Sequence, residues 1–386
     1  MLGFLLRMAL KNSLRHKLRA LLTLAGIVVA ILAFGLLRTV VSAWYAGADA
    51  ASASRLVTRN SISLVFSLPV SYEQKIRQVD GVSLVAKANW FGGVYIDERN
   101  FFPQFAVDDN YLSLYPEYVL SEDERKAFLI DRRGAIAGRK LANRYGWKIG
   151  DIIPIRGTIF PGEWSFVLRG IYDGARKNTD TNQLFFRYDY LNESLKKTAP
   201  RRADRIGVYI VGINAPERAA AISEAIDATF KNSLAETLTE TEKAFQLSFV
   251  AMTGTIVLVI ELVSYVVILI IMAVMANTMA MSARERISEY ATLKALGFGP
   301  GVVAMLVFSE SLALALLGGG VGIVLTFPLA RGFGNALDNL FPVFLVADET
   351  VVLQAVAAFV IGVVAALAPA VQATRVRIVD GLRSVA

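Results

Sequence analysis

Residues 277–301, NTMAMSARERISEYATLKALGFGPG, form a polar stretch between two long apolar runs. The run before it, residues 249–276, contains Glu261 as its one acidic or basic residue, and the run after it, residues 302–330, contains Glu310. A bilayer core is crossed by about 20 helical residues, so each run is long enough to span a membrane. The sequence therefore predicts two spans joined by a short connection on one side of the membrane.

The connection has charged and apolar residues at helical spacing. Its charged side chains are Arg284, Glu285, Arg286, Glu289 and Lys294, and its apolar stripe is formed by Ile287, Tyr290, Ala291 and Leu293. Such a stripe is typical of an amphipathic helix. Residues that end a helix follow it: Gly297, Gly299, Pro300 and Gly301. We expect a short, stiff helix here that docks onto a partner protein.

The composition of the 386 residues is that of a membrane protein. Hydrophobic residues make up 55% of the chain and the mean hydropathy is +0.49, more than one soluble core can bury. The net charge of +7 does not indicate a nucleic-acid partner, because cations without acids precede the first apolar run, as in the positive-inside pattern. These cations are Arg7, Lys11, Arg15, Lys17 and Arg19.

Several kinds of site are excluded by residue type. The chain has no cysteine, so disulfides, thiol catalysis and cysteine metal sites cannot form. Its single histidine, His16, lies in the basic amino-terminal segment, and no metal site is predicted. Asp108 and Asp109, like residues 122–124, are interpreted as solvated turns and helix starts. No catalytic residues stand out, and the chain is not expected to be an enzyme.

The predicted fold class is a membrane α-helical protein with four transmembrane helices and a large α+β periplasmic domain. The segments are an amphipathic amino-terminal helix over 1–17, a first span over 18–43, the periplasmic domain over 44–247, a stalk and second span over 248–276, a cytoplasmic coupling helix over 277–301, a third span over 302–330, a periplasmic loop over 331–350, a fourth span over 351–373 and a cytoplasmic tail over 374–386. Arg375, Arg377 and Arg383 favour a cytoplasmic carboxyl terminus, since cations collect on that side. A cleaved signal peptide ending near residues 48–50 is the alternative for the first span.

The polar domain has a β-α-β pattern at each end. A strand over residues 61–68, a helix over 72–79 and a strand pair over 82–94 open it, and a strand over 206–213 with a helix over 216–230 closes it. Two such halves, at about 55–107 and 200–240, predict a ferredoxin-like split unit, and residues 108–199 predict an inserted β-rich subdomain. The aromatic residues of the insertion, Phe160, Trp164, Phe166, Phe185 and Phe186, are expected to fill its core.

A capping box, Thr239 with Glu242, precedes the second span. It predicts a helix that continues without a break into the membrane as a rigid stalk. Within the third span, Gly318 and Gly322 form a small-residue pair that favours close helix packing over a hinge.

Glu261 is the most informative single residue, because an acid inside a membrane is costly and is therefore a functional candidate. It could be a proton or cation site of an ion-coupled transporter. With no basic partner recognisable in the sequence, a structural role is favoured, with Ser264, Tyr265 or a neighbouring helix as its partner. Glu310, near the cytoplasmic end of the third span, could reach lipid headgroups or the coupling helix.

The chain resembles the permease subunits of type VII ABC systems, the MacB/FtsX/LolC-like family. The resemblance rests on residues 277–301, on LAPAVQATRVRIVDGLRS at residues 367–384, on LKNSLRHKLRALLTLAGIVVA at residues 10–30 and, in the polar domain, on residues 80–82 and LANRYGWKIGD at residues 141–151. No phosphate-binding loop is present, so ATP and Mg would be bound by a separate ATPase and not by this chain.

The resemblance implies docking on two cytoplasmic ATPase subunits, and a dimer with itself or with a paralogue. The coupling-helix residues carried over are Arg284, Glu285, Arg286, Glu289, Tyr290, Leu293, Lys294, Leu296 and Gly297. It implies mechanotransmission in the bacterial inner membrane, in contact with lipid. Three functions remain open: export with a periplasmic adaptor and an outer-membrane channel, handling of lipoproteins or lipids, and signalling to a periplasmic partner such as a cell-wall hydrolase.

Overall fold

The structure is a computed structural model that describes residues 17–336, 341 and 343–377. The predicted amino-terminal helix over 1–17, except its last residue, and residues 378–386 of the tail lie outside the described residues. The chain divides into two compact units. Unit 1 takes the described residues of Met1–Trp44, Thr253–Leu337 and Phe344–Ala386, and unit 2 takes those of Tyr45–Met252 and Asp338–Val343.

Short helices alternate with strands over residues 51–252, between long helices at both ends of the described chain. The helices are α1 Lys17–Ala50, α2 Tyr72–Arg77, α3 Tyr111–Leu114, α4 Glu122–Ile130, α5 Arg139–Tyr145, α6 Tyr188–Thr198, α7 Ala219–Thr229, α8 Glu242–Met252, α9 Gly254–Glu285, α10 Ile287–Ala295, α11 Pro300–Ala336 and α12 Asp348–Arg375. The strands are β1 Arg55–Asn60, β2 Leu68–Pro69, β3 Val82–Trp90, β4 Gly93–Val94, β5 Gln104–Val107, β6 Tyr118–Val119, β7 Gly134–Gly138, β8 Ile152–Gly157, β9 Gly162–Gly174, β10 Leu184–Arg187, β11 Arg205–Ile206, β12 Val208–Ile213 and β13 Thr237–Thr241.

Four helices of the described chain are long and apolar enough to cross a membrane: α1, α9, α11 and α12. The shortest of them, α12, has 28 residues, which is about 42 Å at 1.5 Å per residue and exceeds a hydrocarbon core of about 30 Å. The predicted class, four apolar helices with a large α+β domain, is confirmed.

The predicted coupling helix over 277–301 is wrong in its bounds. Helix α9 continues to Glu285, and a separate helix, α10, follows at Ile287–Ala295. The reason is a stripe of buried residues at helical spacing, Met275, Met279 and Ala283, which keeps the end of α9 packed against its own unit. Helix α10 ends before Gly297, whose φ of +89° is a conformation that glycine adopts without strain.

The uninterrupted stalk is also wrong. Thr239 lies in β13, where its hydroxyl bonds to Thr58 and Asp227, so the strand takes the residue that was expected to cap a helix. Helix α8 begins at Glu242, with the Thr241 hydroxyl accepting the Ala244 N–H at 3.2 Å. It ends at Met252, and α9 begins at Gly254.

In unit 2 the two β-α-β segments, one at each end of the domain, form one antiparallel sheet. The strand order β13-β1-β12-β3, with α2 between β1 and β3 and α7 between β12 and β13, is that of a ferredoxin-like split unit. The sequence predicted this arrangement. The first strand was misplaced, however: residues 61–67 are a loop after β1, and Ile62 and Val65 are exposed. The Asn60 side chain accepts the Ile62 N–H at 3.0 Å and turns the chain there.

The insertion was predicted over residues 108–199, but in the structure it takes residues 91–207, between β3 and β12, and it extends the same sheet without building a separate one. Beyond β3 the order continues β5-β10-β7-β9-β8-β4. Buried residues pack on both sides of this sheet in two clusters, one around Phe166 and Phe186 and the other around Tyr172 and Phe185. The prediction that the aromatic residues of the insertion fill a core is confirmed, because Phe160, Trp164, Phe166, Phe185 and Phe186 are all buried.

Candidate functional site

Helix α10 is held to its unit by one buried face. Tyr290 is 2% exposed and Ala291 is fully buried. Arg286, at the break before α10, donates to Glu289 at 2.8 Å and to Glu310 of α11 at 2.7 Å. Burial raises the pKa of Tyr290 to about 12, so its phenol is neutral at physiological pH. Glu310, the acid of the third span, thus has the Arg286 cation as its partner.

Two further contacts tie the ends of α9 and α10 to other helices. Arg19 of α1 makes a two-bond pair with Glu285, at 2.7 and 2.8 Å. Lys294 donates to the carbonyl oxygens of Thr374 and Val376 at the end of α12, both at 2.7 Å. These contacts and the Arg286–Glu310 pair join α10 and the end of α9 to α1, α11 and α12. We call the side chains that make these contacts the hub: Arg19, Glu285, Arg286, Glu289, Lys294 and Glu310.

Some of the predicted docking residues are buried or paired within this chain, and others are exposed. Arg286, Glu289, Tyr290 and Lys294 come together, but Tyr290 faces its own unit and Lys294 is occupied by α12. The predicted stripe thus packs on this chain's own helices. The exposed residues of the predicted set are Arg284, Glu285, Leu296 and Gly297, and Leu293 is half-buried. Phe298, which the sequence analysis did not single out, is 47% exposed beside Leu296, which is 72% exposed.

Glu261 has a basic partner, contrary to the sequence analysis. The Arg38 guanidinium in α1 donates to its carboxylate at 2.6 Å. The Ser264 hydroxyl bonds to the backbone carbonyl of Glu261 and not to the carboxylate. The partner was missed because 223 residues separate the two side chains.

The glycine pair of the third span packs against α1. A methyl group added at Gly318 would lie 2.9 Å from Ile27, and one at Gly322 would lie 3.0 Å from Ile31. Both distances are shorter than ordinary van der Waals contact, so only glycine lets α11 approach α1 this closely.

A buried amide in α12 was not found by sequence reasoning. Gln354 donates to the carbonyl oxygen of Ile31 in α1 at 2.8 Å and to the Thr326 hydroxyl in α11 at 2.9 Å. Gly35 provides the space for it, since a methyl group there would lie 2.1 Å from the Gln354 amide nitrogen. A glutamine within an apolar run was the available signal, because polar side chains at that depth join helices.

Unit 2 contains a second cluster, around Glu242 at the start of α8. Its carboxylate accepts the Ser52 N–H at 2.8 Å, the Arg55 Nε–H at 2.8 Å and the Tyr115 hydroxyl at 2.9 Å. Arg55 also donates to Glu117, at 2.6 and 3.1 Å. We call these five residues the joint.

The joint is buried at its central ion pair, Glu242 with Arg55. Glu242 and Arg55 are each 5% exposed. Burial by itself would lower the pKa of Arg55, but the hydrogen bonds to Glu117 and the charge of Glu242 raise it overall. Burial raises the pKa of Tyr115 well above its ordinary value, so it remains a hydrogen-bond donor. A network of this kind is stable only while every member keeps its partner.

In the part of the chain that the structure describes, no group of three or more histidine, aspartate or glutamate side chains is arranged to hold a metal ion. The hub and the joint are built from ion pairs and buried hydrogen bonds. Such contacts hold segments in fixed relative positions.

Comparison with known proteins gives a family match for residues 261–378. They match the family model described as the FtsX-like permease C-terminal domain. The matched range begins at the intramembrane acid Glu261 and contains all of α10 and α11.

Two curated relatives align with nearly the whole chain. An uncharacterised ABC transporter permease of Methanocaldococcus jannaschii, MJ1507, is 24% identical over 401 residues, which cover 97% of this chain and 96% of that protein. An uncharacterised ABC transporter permease of Bacillus subtilis, YvrN, is 23% identical over 441 residues, which cover 98% of each.

Two solved structures are similar to about half of the chain. The extracellular domain of the ABC-type transporter YknZ from Gram-positive bacteria is 12% identical, with a TM-score of 0.35, and the match covers 48% of this chain and 98% of that one. A domain of a permease protein from Porphyromonas gingivalis is 12% identical, with a TM-score of 0.34, over 49% of this chain and 90% of that one.

Proposed function

We propose that the chain is a permease of the type VII ABC transporter family, the MacB/FtsX/LolC-like group, and we take this proposal as the premise for its function; the FtsX-like match and the two similar ABC transporter permeases support it. It is a transmembrane subunit that converts ATP hydrolysis by a separate ATPase into movement of unit 2, by mechanotransmission. The observation that carries this proposal is the hub. A helix joined to its neighbouring helices by an ion pair and hydrogen bonds would transmit a displacement to them.

The contacts of α10 support this role one by one. Arg286 links the start of α10 to α11 through Glu310, Lys294 links α10 to α12, and Glu285 links the end of α9 to α1. The Arg286–Glu310 pair is shielded from water, because the Glu310 side chain is 6% exposed, so salt screens it little. A displacement of α10 therefore moves these helices together and does not bend a loose loop.

The docking surface is the carboxyl-terminal end of α10. Leu296 and Phe298 are exposed apolar side chains after Lys294, and Arg284 is an exposed cation before the other end of α10. An apolar anchor with a charged rim fits a groove on a partner, here the ATPase. In this arrangement Tyr290 and Ala291 pack on this chain's own helices and do not contact the ATPase.

The other parts of the assembly follow from the same premise. Two copies, or this chain and a paralogue, would sit on two ATPase subunits that bind ATP and Mg, with lipid around the helices. Lys17 and Arg19 at the start of α1, and Arg375 and Arg377 at the end of α12, favour termini on the cytoplasmic side of the cell membrane. Unit 2 would then lie outside the cytoplasm, which is the periplasm in a bacterium with two membranes.

We propose two alternative functions for unit 2. The first is export of substrates from outside the membrane with an adaptor and an outer-membrane channel, or handling of lipoproteins or lipids. The second is control of an external partner such as a cell-wall hydrolase. Co-purification separates them: an adaptor and channel favour export, and a hydrolase favours signalling. Ion-coupled transport is disfavoured by the Arg38 pairing of Glu261.

Docking is tested by Leu296→Asp in the full chain, co-expressed with an ABC ATPase of the same genome that co-purifies with the wild-type chain. We expect the variant to insert normally and to lose the ATPase on purification, because a carboxylate is placed in the apolar contact. Ile62→Asp, at an equally exposed apolar residue of unit 2, is the control and keeps the ATPase. Retention of the ATPase by Leu296→Asp in the same amount as wild type would show that the surface is placed wrongly.

A further inference from the structure

Glu242 joins segments that are far apart in the chain. Its Oε2 atom accepts from the Ser52 N–H, just after α1, and from Arg55 at the start of β1, and its Oε1 atom accepts from the Tyr115 hydroxyl in the insertion. Glu242 is itself the first residue of α8. One carboxylate thus joins the chain just after α1, the start of β1, the start of α8 and the insertion.

Arg55 continues the connection into the insertion. Its Nη1 atom donates to the carbonyl oxygen of Leu114 at 2.8 Å, and its Nη2 atom donates to Glu117 at 2.6 Å. The guanidinium also lies over the Tyr115 ring, 4.1 Å from its centroid. Residues 114–117 of the insertion are therefore held by the same arginine that Glu242 holds.

The sheet offers only a longer path between these parts. From β1 to β5, the first strand of the insertion in the main order, the path runs through β12 and β3. Three strand spacings amount to about 14 Å, and each ladder can twist and shear along it. The joint replaces this path by direct contact through charge-assisted hydrogen bonds, which are short and directional.

We propose that Glu242 is a positioning residue that makes the insertion, residues 91–207, move together with the ends of α1 and α8. The inference rests on the proposed function, because it assigns where the motion driven by ATP is delivered. The motion of the helix ends is then delivered to the insertion as well as to the ferredoxin-like halves.

The test uses the full chain with its ATPase in lipid nanodiscs and measures distances between spin labels. The chain has no cysteine, so introduced cysteines label cleanly. Lys126→Cys in α4 reports on the insertion, Ser248→Cys reports on α8, and each is paired with Arg331→Cys near the end of α11; all three residues are exposed. Labelled chains are diluted with unlabelled ones, and distances are recorded without nucleotide and with a non-hydrolysable ATP analogue.

In the wild type, both distances are expected to shift on addition of nucleotide. In Glu242→Ala, the 248–331 shift remains, and the 126–331 shift falls by at least half and its distribution broadens. Glu240→Ala removes a neighbouring ion pair of β13, that with Arg59 at 3.0 Å, and keeps both shifts. If Glu242→Ala does not fold, Glu242→Gln, which keeps the side-chain volume, is scored by the same criterion.

The outcomes separate the two proposals. A wild type in which neither distance responds to nucleotide contradicts mechanotransmission itself. A responding wild type in which both Glu242 variants keep the full 126–331 shift, or in which Glu240→Ala loses as much of it, overturns the role of Glu242 and leaves the proposed function standing. Loss of thermal stability alone does not imitate the expected result, because it would not separate the two label pairs.

Discussion

The Glu242 carboxylate lies 2.8 Å from Nε of Arg55 although the two residues are 187 positions apart. Both side chains are buried, and their neighbours Glu117 and Tyr115 belong to the insertion. Helix-terminal and strand-terminal residues that carry no catalytic chemistry are thus joined by the most costly kind of contact, a desolvated ion network. Such a network fixes geometry, and fixed geometry is what a force-transmitting protein requires at the ends of its helices.

Replacing Glu242 by alanine should destabilise unit 2. Arg55 keeps Glu117 but loses its Nε partner, and the Tyr115 hydroxyl loses its acceptor, which together cost about 3 kcal/mol. The measurement is the thermal or denaturant unfolding of the purified chain. Glu240→Ala, which removes the less buried Arg59–Glu240 pair between β1 and β13, should cost about 1 kcal/mol or less. Equal losses in the two variants would contradict a special role for the joint.

The second prediction concerns Glu310 and Arg286. In Glu310→Ala the Arg286 guanidinium, 13% exposed, keeps only Glu289, so the hub loosens between α10 and α11. We expect the ATPase to remain bound while its stimulation by the permease falls several-fold, measured as the ATPase rate of the reconstituted complex. Glu289→Gln, at a more exposed acid, is the matched control and should lose less than half of the stimulation. A Glu310→Ala complex with unchanged stimulation would exclude the hub as a route for force.

The third prediction uses three glycines of α11. Gly322→Ala places a methyl group 3.0 Å from Ile31 and from the carbonyl oxygen of Val28, so α1 and α11 must separate. Gly320→Ala meets no atom within 4 Å and should be neutral or slightly stabilising, because alanine favours helix. We expect Gly322→Ala, and likewise Gly318→Ala, to lower the unfolding temperature in detergent. If Gly320→Ala lowers it as much, close packing against α1 is not the reason for the glycines.

The fourth prediction separates a structural Glu261 from an ion-coupling one. Glu261→Gln removes the charge that Arg38 pairs with but leaves a hydrogen-bond acceptor at the same place. ATPase stimulation and the nucleotide-dependent distance shift should therefore persist within a factor of two. Glu261→Ala, which leaves the Arg38 cation without a carboxylate or amide acceptor at that place, should reduce the amount of inserted protein more than Glu261→Gln does, since an unpaired charge in the membrane is costly. Complete loss of function in Glu261→Gln, with normal insertion, would restore the ion-coupling hypothesis.

The sequence predicted the features that depend on local pattern. The four apolar helices follow from run length, and the strand order around β1 and β12 follows from two β-α-β patterns with turns between them. It misplaced β1 because residues 61–68 have the apolar, β-branched composition of a strand, while the strand itself, Arg55–Asn60, contains two arginines that pair with distant acids. Composition cannot show that a charged residue will be buried beside its partner.

The parts of the candidate site that the sequence did not predict are contacts between distant residues. Arg38 with Glu261, Arg19 with Glu285 and Arg55 with Glu242 each join helices or strands separated by well over a hundred positions. The helical spacing of Tyr290 and Leu293 correctly indicated an apolar face on α10. It could not indicate whether that face meets a partner or the chain's own helices, because both surfaces require the same residue types.

The last prediction distinguishes those two roles of α10. Tyr290→Ala removes a buried ring that lies under Arg286 at 5.6 Å, and a large-to-small change of this kind costs about 3–5 kcal/mol. Its unfolding temperature should fall, and loss of the ATPase should follow only from the unfolding. Leu296→Asp, at an exposed side chain, should keep the wild-type unfolding temperature and lose the ATPase at all temperatures. The measurement pairs a thermal melt of each purified variant with ATPase recovery at low temperature, where Tyr290→Ala remains folded. If Tyr290→Ala melts like wild type but fails to recover the ATPase, the ring is a docking residue after all, and α10 must turn its other face to the membrane helices.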